Sequence, residues 1–400
     1  MVAIVAPREA FTAEPVAPHT PAPTMTVPLV RPDLPALEEI AAEFGDILAT
    51  GRLSNFGPYA TRFEQALSDK LDAHAVSLSS CTLGLVFALQ ALGLQPGQKV
   101  ALPAFTFVAT AQAVLYAGGV PVYVDVDPDF TISPADLAAV LAAEPEIAAV
   151  IGVHTYGLPA KVEAIAAVVA EAEARAGHPI PVLYDAAHAL GARIGERAVG
   201  TFGNAEVFSL SATKTLVAGE GGIVASRDEA LVDRLRAMRN YGFAGGYNAV
   251  APGLNGKMSE FHAVIGLHNL GRLDELMATR AEKATAYADR IARETVFLAP
   301  PVRPGTSHTF KDFSILVPEH LRDRRDAIVA YLKAHGVDVR TYFAPTLDKQ
   351  DYFARFATRP LPTTDDLAAR VIAVPFFASL TPEEMDYVVE HLRRAPEAAS

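Results

Sequence analysis

Two side chains in the middle of the chain have the types and the setting for chemistry on a carbonyl group. Lys214 follows the short segment 208–213 and precedes a glycine-rich turn at 219–222, and Asp185 follows the apolar run 180–184. A lysine amine can form a Schiff base with an aldehyde. A carboxylate can keep the pyridine nitrogen of pyridoxal 5'-phosphate protonated, so that the ring accepts electrons. The pair therefore indicates pyridoxal phosphate chemistry, although a lysine before a glycine-rich turn is also typical of a solvated surface charge.

Two predicted helix starts could bind other parts of such a cofactor. Residues 79–84 read Ser-Ser-Cys-Thr-Leu-Gly and join a predicted strand to a helix. The free N–H groups and positive dipole end of that helix, with the hydroxyls, predict a phosphate cradle, whereas simple N-capping is the alternative. Residues 103–110 open the next helix and contain aromatic side chains that could stack on a flat ring or pack in a core.

Short apolar runs alternate with helical patterns through the first part of the chain. Strands are predicted at 76–78, 99–102, 120–124, 148–153, 180–184, 205–208 and 222–225, with helices at 37–48, 59–71, 83–92, 107–117, 134–142 and 161–176. This alternation predicts an α/β fold with a mostly parallel sheet covered by helices on both faces. Ligands of such sheets bind beyond the carboxyl ends of the strands, where Ser79, Asp185 and Ser209 are expected.

The pattern divides the chain into three parts. Residues 1–30 are rich in proline and are expected to be a mostly disordered extension. Residues 31–256 are expected to form the large cofactor-binding domain. Residues 257–400 then supply a long helical connection at 259–293 and a smaller C-terminal α+β domain, a two-domain division that suits a chain of 400 residues.

Composition excludes several classes of function. The formal net charge of −12 argues against a broad nucleic-acid surface. Cys81 is the only cysteine, which excludes an internal disulfide and fits a reducing compartment. The histidines show no metal-ligand spacing. No apolar run reaches the ~18 residues that cross a bilayer, and residues 2–6 are too short for a signal peptide, so a cytoplasmic protein is expected.

These segments together resemble the DegT/StrS sugar aminotransferases, which have the aspartate-aminotransferase fold (fold type I) of pyridoxal phosphate enzymes. The resemblance runs in order over about residues 31–392. It rests on residues 80–82, 103–110, 124–126, 154–157, 185–191, 208–222, 240–242, 253–257, 340–342 and 374–375. The number of matches and their order along the chain make the resemblance specific. Any single match alone would not be specific.

The resemblance implies a role for each matched residue. Lys214 would carry the cofactor, Asp185 would pair with the pyridine nitrogen, and His188, where relatives often have Gln, would lie near the phenolic oxygen. The remaining cofactor contacts would be ring stacking by Phe107, phosphate binding by Cys81 (through its backbone), Thr82 and Ser209, and a contact from Asn255 to the phosphate in the neighbouring subunit. A homodimer with shared active sites would follow.

The chain also departs from the family pattern. Cys81 stands where Gly is common, Leu254, Gly256 and Lys257 flank Asn255 where an aromatic residue and an Arg are usual, and Asp348 lies where relatives often have His. The last two differences are expected to line the substrate pocket, where Lys257 cannot copy the bidentate contact of an Arg. The substrate candidates are His154, Lys257 and Tyr342, and His154 could equally be structural. Arg239 and Lys311 could meet a substrate phosphate or be surface charges.

The expected activity is transfer of an amino group to a keto-sugar, most simply a nucleotide-linked one, with glutamate as donor. Both substrates come from the resemblance. Amination of a keto-cyclitol or another specialised metabolite is the alternative within the same chemistry. A dehydratase of the same family is disfavoured because those relatives have His where Lys214 stands. A non-catalytic cofactor-binding regulator is disfavoured by the intact set of Lys214, Asp185 and Ser209.

Overall fold

The protein is described by a computed structural model that covers residues 25–54 and 56–398. Most of the predicted N-terminal extension lies outside the described residues. The expectation of disorder does not hold for residues 25–30. Val27 is fully buried, and its backbone N–H donates to the Gly336 carbonyl at 2.9 Å while its carbonyl accepts from the Asp338 N–H at 3.0 Å. This segment therefore belongs to the folded body.

The described chain alternates strands and helices in its first part. The strands are β1 (His74–Leu78), β2 (Lys99–Pro103), β3 (Val120–Val124), β4 (Ile147–Val153), β5 (Val182–Asp185), β6 (Arg193–Ile194), β7 (Arg197–Ala198), β8 (Ala205–Ser209), β9 (Gly222–Ser226), β10 (Thr306–Ser307), β11 (Phe313–Leu316) and β12 (Val371–Val374). The α-helices are α1 (Leu37–Thr50), α2 (Pro58–Leu71), α3 (Cys81–Ala91), α4 (Val108–Tyr116), α5 (Pro134–Ala143), α6 (Val162–Ala176), α7 (Glu229–Met238), α8 (Glu260–Gly271), α9 (Leu273–Glu294), α10 (Arg325–Ala334), α11 (Pro362–Arg370) and α12 (Pro382–Ala398).

Seven strands form the central sheet in the order β1-β9-β8-β5-β4-β2-β3. The pairs from β8 through β5, β4 and β2 to β3 are parallel, and β9 runs antiparallel to both of its neighbours. Val153 on β4 pairs with Asp185 on β5, which pairs in turn with Val207 on β8. The carboxyl ends of these strands therefore meet at one edge of the sheet, as the sequence predicted.

Helices cover both faces of this sheet, because the strands are apolar on both sides. Neighbouring residues of a strand pack in different cores. On β4, Val150 packs in one core and Ile151 in the other; on β5, Tyr184 packs in the first core and Leu183 in the second. The first core includes residues of α1, α2, α5, α6 and α8, and the second includes residues of α3, α4 and α7. The predicted mostly parallel sheet with helices on both faces is confirmed.

A smaller C-terminal unit has its own core, built around the antiparallel pair β11–β12 with α10 and α12. The predicted helical stretch 259–293 is two helices, because the chain turns at Arg272 between α8 and α9. Helix α8 packs in a core of the large domain, so a domain boundary at residue 256 is too early. Helix α9 belongs to both units: Leu273 lies in the large-domain core and Tyr287 in the small one.

No helix among residues 25–54 and 56–398 is long and apolar enough to cross a membrane.

Candidate active site

A cavity of about 340 Å³ lies where the carboxyl ends of β4, β5 and β8 meet the small domain. The side chains that the sequence predicted to act together line it: Cys81, Thr82, Phe107, His154, Asp185, His188, Ser209, Lys214 and Tyr342. Among the described residues, no group of three or more His, Cys, Asp or Glu side chains could hold a metal ion.

One end of the cavity is built to receive an anion. Helix α3 begins at Cys81, and the Ser80 side chain caps it by accepting from the Leu83 N–H at 3.2 Å. Ser80, Cys81 and Thr82 all line the cavity, so the positive end of the helix dipole faces it. Strand β9 starts beneath this turn at Gly222, where a Cβ atom would lie 2.5 Å from the Cys81 nitrogen. Only glycine permits this close approach.

Asp185 is a buried carboxylate that has hydrogen bonds but no cationic partner. It accepts from the Thr110 hydroxyl at 2.8 Å and from the Ala187 N–H at 3.1 Å, and its residue is 5% exposed. Burial raises the pKa of Asp185, and these hydrogen bonds, Lys214 and His154 offset the rise in part. No Lys, Arg or His within the described chain forms an ion pair with it, so its ionised form lacks a counter-charge.

Lys214 lies in the same cavity and is held as a weak base. Burial, together with the positive charge of Lys311, lowers its pKa to about 8 against the opposing effects of Asp312, Cys81 and Asp185. Its backbone N–H donates to the Ser211 carbonyl at 3.0 Å, which closes a turn after β8. A lysine with this pKa is partly unprotonated near neutral pH, as a nucleophilic amine must be.

His188 is a neutral ring beside these charges. Burial lowers its pKa well below the usual value, and Lys214, Lys311 and His308 add to the effect. Its Nδ1 lies 4.0 Å from an oxygen of Asp312. A neutral imidazole carries one donor and one acceptor nitrogen. It can therefore form a hydrogen bond with a phenolic oxygen whether that oxygen is protonated or ionised.

Aromatic rings form a further part of the wall. Phe107 caps the N-terminus of α4, and the residue is 56% exposed although it is apolar. Its ring centroid lies 6.4 Å from that of Phe343, which neighbours Tyr342 in the cavity. An exposed ring at a cavity wall has a free face on which a flat ligand can stack.

His154 lines the cavity, but its ring nitrogens are already used. Its Nε2 lies 2.7 Å from Glu206, and its Nδ1 accepts from the Ala160 N–H at 2.8 Å. The ring also stacks on Tyr184 with centroids 4.9 Å apart. These contacts favour a structural role for His154, which is the second of the two roles that the sequence left open.

Two predicted site residues do not line this cavity. Asn255 is exposed and pairs through its backbone with Asn240, and Lys257 lies with its amine 4.9 Å from the centre of the Tyr241 ring. Asp348, also expected at the pocket, is buried elsewhere and accepts from the Thr346 hydroxyl at 2.6 Å.

Arg239 is not a surface charge, and it does not line the cavity. It is 4% exposed, forms an ion pair with Glu64, and donates to the Ser77 carbonyl at 2.6 Å. It ties α7 to α2 and β1, which is a structural role.

The structure adds residues that the sequence did not single out. Thr110 holds Asp185 in place, and Asp312 enters the cavity beside Lys311 at a distance of 2.6 Å. Thr155 also lines the cavity, and its buried hydroxyl has no hydrogen-bond partner in the described chain. No spacing rule could have placed Asp312, because the segment before β11 has no regular period.

Comparison with known proteins identifies relatives over most of the chain. Residues 36–393 match the DegT/DnrJ/EryC1/StrS aminotransferase family. The chain is 35% identical to UDP-N-acetyl-3-dehydro-alpha-D-glucosamine 3-aminotransferase of Acidithiobacillus ferrooxidans, with 90% of this chain and 94% of that protein covered. It is 30% identical to dTDP-4-amino-4,6-dideoxy-D-glucose transaminase of Shigella dysenteriae, with 91% and 98% covered.

A solved structure has the same architecture. DesI, determined in the presence of its TDP-sugar product, superposes with a TM-score of 0.86 at 32% identity, over 94% of this chain and 95% of that one. The predicted fold class is confirmed by this agreement, and the family match covers both domains. The chain belongs to the DegT/DnrJ/EryC1/StrS aminotransferase family.

Proposed function

We propose that the protein is a pyridoxal phosphate-dependent aminotransferase that converts a nucleotide-linked keto-sugar to an amino sugar, with glutamate as the amino donor. The proposal is carried by Asp185, a buried carboxylate without a cation, which shares one cavity with a lysine of pKa about 8. A pyridinium nitrogen would supply the missing positive charge. Two of the relatives have names of nucleotide-sugar aminotransferases, which supports the substrate class.

The residues present fit this cofactor. The N-terminus of α3 with Thr82 and Ser209 would hold the phosphate, Phe107 would cover one face of the ring, and His188 would meet the phenolic oxygen. Asp185 would hold the pyridine nitrogen, with Thr110 fixing the carboxylate. When bound, pyridoxal phosphate supplies an aldehyde that takes up the amino group and a ring that accepts electrons.

The chain's own part in the reaction is to hold groups and to move protons. Lys214 would bind the cofactor in the resting enzyme, and its amine would be free for proton transfer once the substrate is bound. At its pKa of about 8 the amine could take a proton from the substrate carbon and pass it on within the cavity. Asp185 would stay ionised, because the bound cofactor would give it a counter-charge.

The proposal includes a homodimer with shared sites. Asn255 is exposed and outside its own cavity, so a phosphate contact from it requires a second copy of the chain. Exposed apolar side chains surround it on the same loops and support an interface there: Tyr241, Tyr247, Val250 and Leu254. A cytoplasmic location is part of the proposal, since the single cysteine suits a reducing compartment.

A half-reaction screen tests the substrate class. Enzyme in the pyridoxamine form would be mixed with a panel of keto-sugar nucleotides and keto-cyclitols, and the return of the absorbance of the pyridoxal form would be followed. We expect at least one keto-sugar nucleotide to restore it. Return of the absorbance with keto-cyclitols alone would contradict the sugar assignment and leave the aminotransferase chemistry in place.

A further inference from the structure

A buried ion pair in the cavity has no cofactor or substrate contact among the roles above. The Lys311 amine lies 2.6 Å from the Asp312 carboxylate, and their side chains are 6% and 2% exposed. Both residues line the cavity. Removing two charges from water is costly, and a pair of hydrophobic residues would often be as stable at such a place. The pair therefore calls for an explanation other than stability.

The chain fixes this pair in position through several contacts. Arg280 on α9 donates through Nε to the Thr309 carbonyl at 2.9 Å and through a terminal nitrogen to the Phe310 carbonyl at 2.5 Å. The Thr309 hydroxyl donates to the His188 carbonyl at 2.6 Å, and Phe310 has a φ of 49°. Non-glycine residues with positive φ are strained, and surrounding contacts must hold them.

The pair lies beside the groups that carry out the chemistry. The Lys311 N–H donates to the Tyr156 carbonyl at 2.8 Å, which joins the segment to the end of β4. The Asp312 carboxylate lies 4.0 Å from His188, and the charge of Lys311 acts on both His188 and Lys214. A substrate whose reacting carbon reaches Lys214 shares the cavity with this pair, so atoms next to that carbon can contact it.

The charge balance of the pair favours a neutral, hydroxylated ligand. An incoming phosphate or carboxylate would be attracted by Lys311 and repelled by Asp312 at nearly the same place. A hydroxyl group can instead donate to the Asp312 carboxylate while it accepts from the Lys311 amine. The unpartnered Thr155 hydroxyl offers a third polar contact in the same cavity.

We propose that Lys311 and Asp312 determine substrate specificity by binding the hydroxyl group on the carbon next to the ketone of the sugar. This inference rests on the proposed function, because it assigns part of the same cavity to the keto-sugar. A site built to hydrogen-bond a substrate hydroxyl rejects the deoxy analogue strongly, because its own polar groups are then left unpaired. The pair would act as such a selector.

The test measures each half-reaction separately in the holoenzyme. Wild type, Lys311→Met, Asp312→Asn and Lys311→Gln would react with L-glutamate in the first half-reaction. They would then react with keto-sugar nucleotides that have or lack the flanking hydroxyl. We expect wild type to favour the hydroxylated sugar on the order of 10²-fold or more. The Met and Asn variants should bring that ratio close to one, and Lys311→Gln, which keeps a donor, should retain part of it.

A binding measurement adds a readout that does not depend on turnover. Calorimetry on the holoenzyme would use a sugar nucleotide with a hydroxyl in place of the ketone, with and without the flanking hydroxyl. Lys161→Met, which removes an ion pair with Asp127 outside the cavity, is the matched control and should keep the wild-type ratio. Thermal melting of each variant identifies any loss of folding.

Three results would overturn the inference. Equal losses in both half-reactions, with the preference for the hydroxylated sugar unchanged, would mean that the pair acts on Lys214 and not on the sugar. A selective loss with glutamate would make Lys311 a carboxylate anchor for the donor. Equal rates of wild type with and without the flanking hydroxyl would mean that the pair does not select for this hydroxyl. If wild type aminates no keto-sugar at all, the proposed function is wrong, and this inference is wrong as well. That result differs from the three above, so the two failures can be told apart.

Discussion

Replacing Asp185 by Asn should separate the catalytic contribution of this residue from its cost to stability. The amide has almost the same shape, and its neighbours can adapt. Thr110 can accept from the new NH₂ group, because its hydroxyl lies 2.9 Å from the Thr106 hydroxyl and can donate there instead. The Ala187 N–H can still donate to the amide oxygen. The substitution therefore removes a charge with little change in packing.

The two expected effects have opposite signs. Loss of the counter-charge to the pyridine nitrogen should lower kcat on the order of 10²-fold or more, by analogy with other preorganised contacts. This corresponds to about 2.7 kcal/mol of transition-state free energy. Burial raises the pKa of Asp185, so the folded chain without cofactor binds this proton more tightly than the unfolded chain. Stability then falls as pH rises through that range, and Asn removes the penalty above it.

The assay compares turnover of the holoenzyme with thermal melting of the cofactor-free protein at pH 7. We expect Asp185→Asn to have a lower kcat and, without cofactor, a Tm at or above that of wild type. Thr106→Val, which alters the same hydroxyl chain but keeps the carboxylate, is the control and should retain most of kcat. Near-normal turnover of Asp185→Asn would refute the pairing of Asp185 with the pyridine nitrogen.

Four further predictions test other parts of the site. Borohydride reduction and peptide mapping should place a pyridoxyl group on Lys214, and a label on a different lysine would rule this assignment out. Cofactor capture by the cofactor-free protein, followed by stopped-flow absorbance, should rise with pH with a midpoint near the Lys214 pKa of about 8. Because Lys311 lowers that pKa, Lys311→Met should move the midpoint to higher pH, and an unmoved midpoint would contradict the coupling. Inactive Lys214→Ala and Asn255→Ala subunits, mixed and reassembled, should regain about one working site per heterodimer; exchange verified by mass without recovery would place Asn255 outside the shared site. Glu206→Ala should lower the free energy of unfolding by at least about 2 kcal/mol in urea titrations, because it leaves His154 and two backbone N–H groups unpaired, and an unchanged unfolding midpoint would show that the contacts of Glu206 are not structural.

The sequence predicted the central sheet well because its signals are local. Each strand of the central sheet is a short apolar run between helical patterns, and the observed bounds differ from the predicted ones by only a few residues. The carboxyl ends of those strands then place Asp185 and Ser209 at one edge without further information. The break between α8 and α9 was missed because no proline marks it and the helical spacing of the leucines continues past Gly271, the single glycine at the end of α8.

The remaining parts of the site depend on contacts between distant segments. Arginine is usually a surface residue, so its type gives no sign that Arg239 is buried. Only the packing of α7 against β1 makes it a buried partner of Glu64. Lys311 and Asp312 reach the cavity because Arg280 and Tyr156, far apart in the chain, hold their backbone. Chain folding brings these groups together, and residue type alone could not show it.

Helix α9 has a consequence for engineering. It enters the core of the large domain at Leu273 and the core of the small domain at Tyr287, and Arg280 lies between these two anchor points. The segment that carries Lys311 and Asp312 therefore takes its position from a helix that both domains share. Exchange of residues 308–312 between related proteins would transfer the side chains of Lys311 and Asp312 without the Arg280 contacts that hold their backbone in position. A successful graft needs the guanidinium of the receiving helix as well, so the functional module to be moved is discontinuous in the chain.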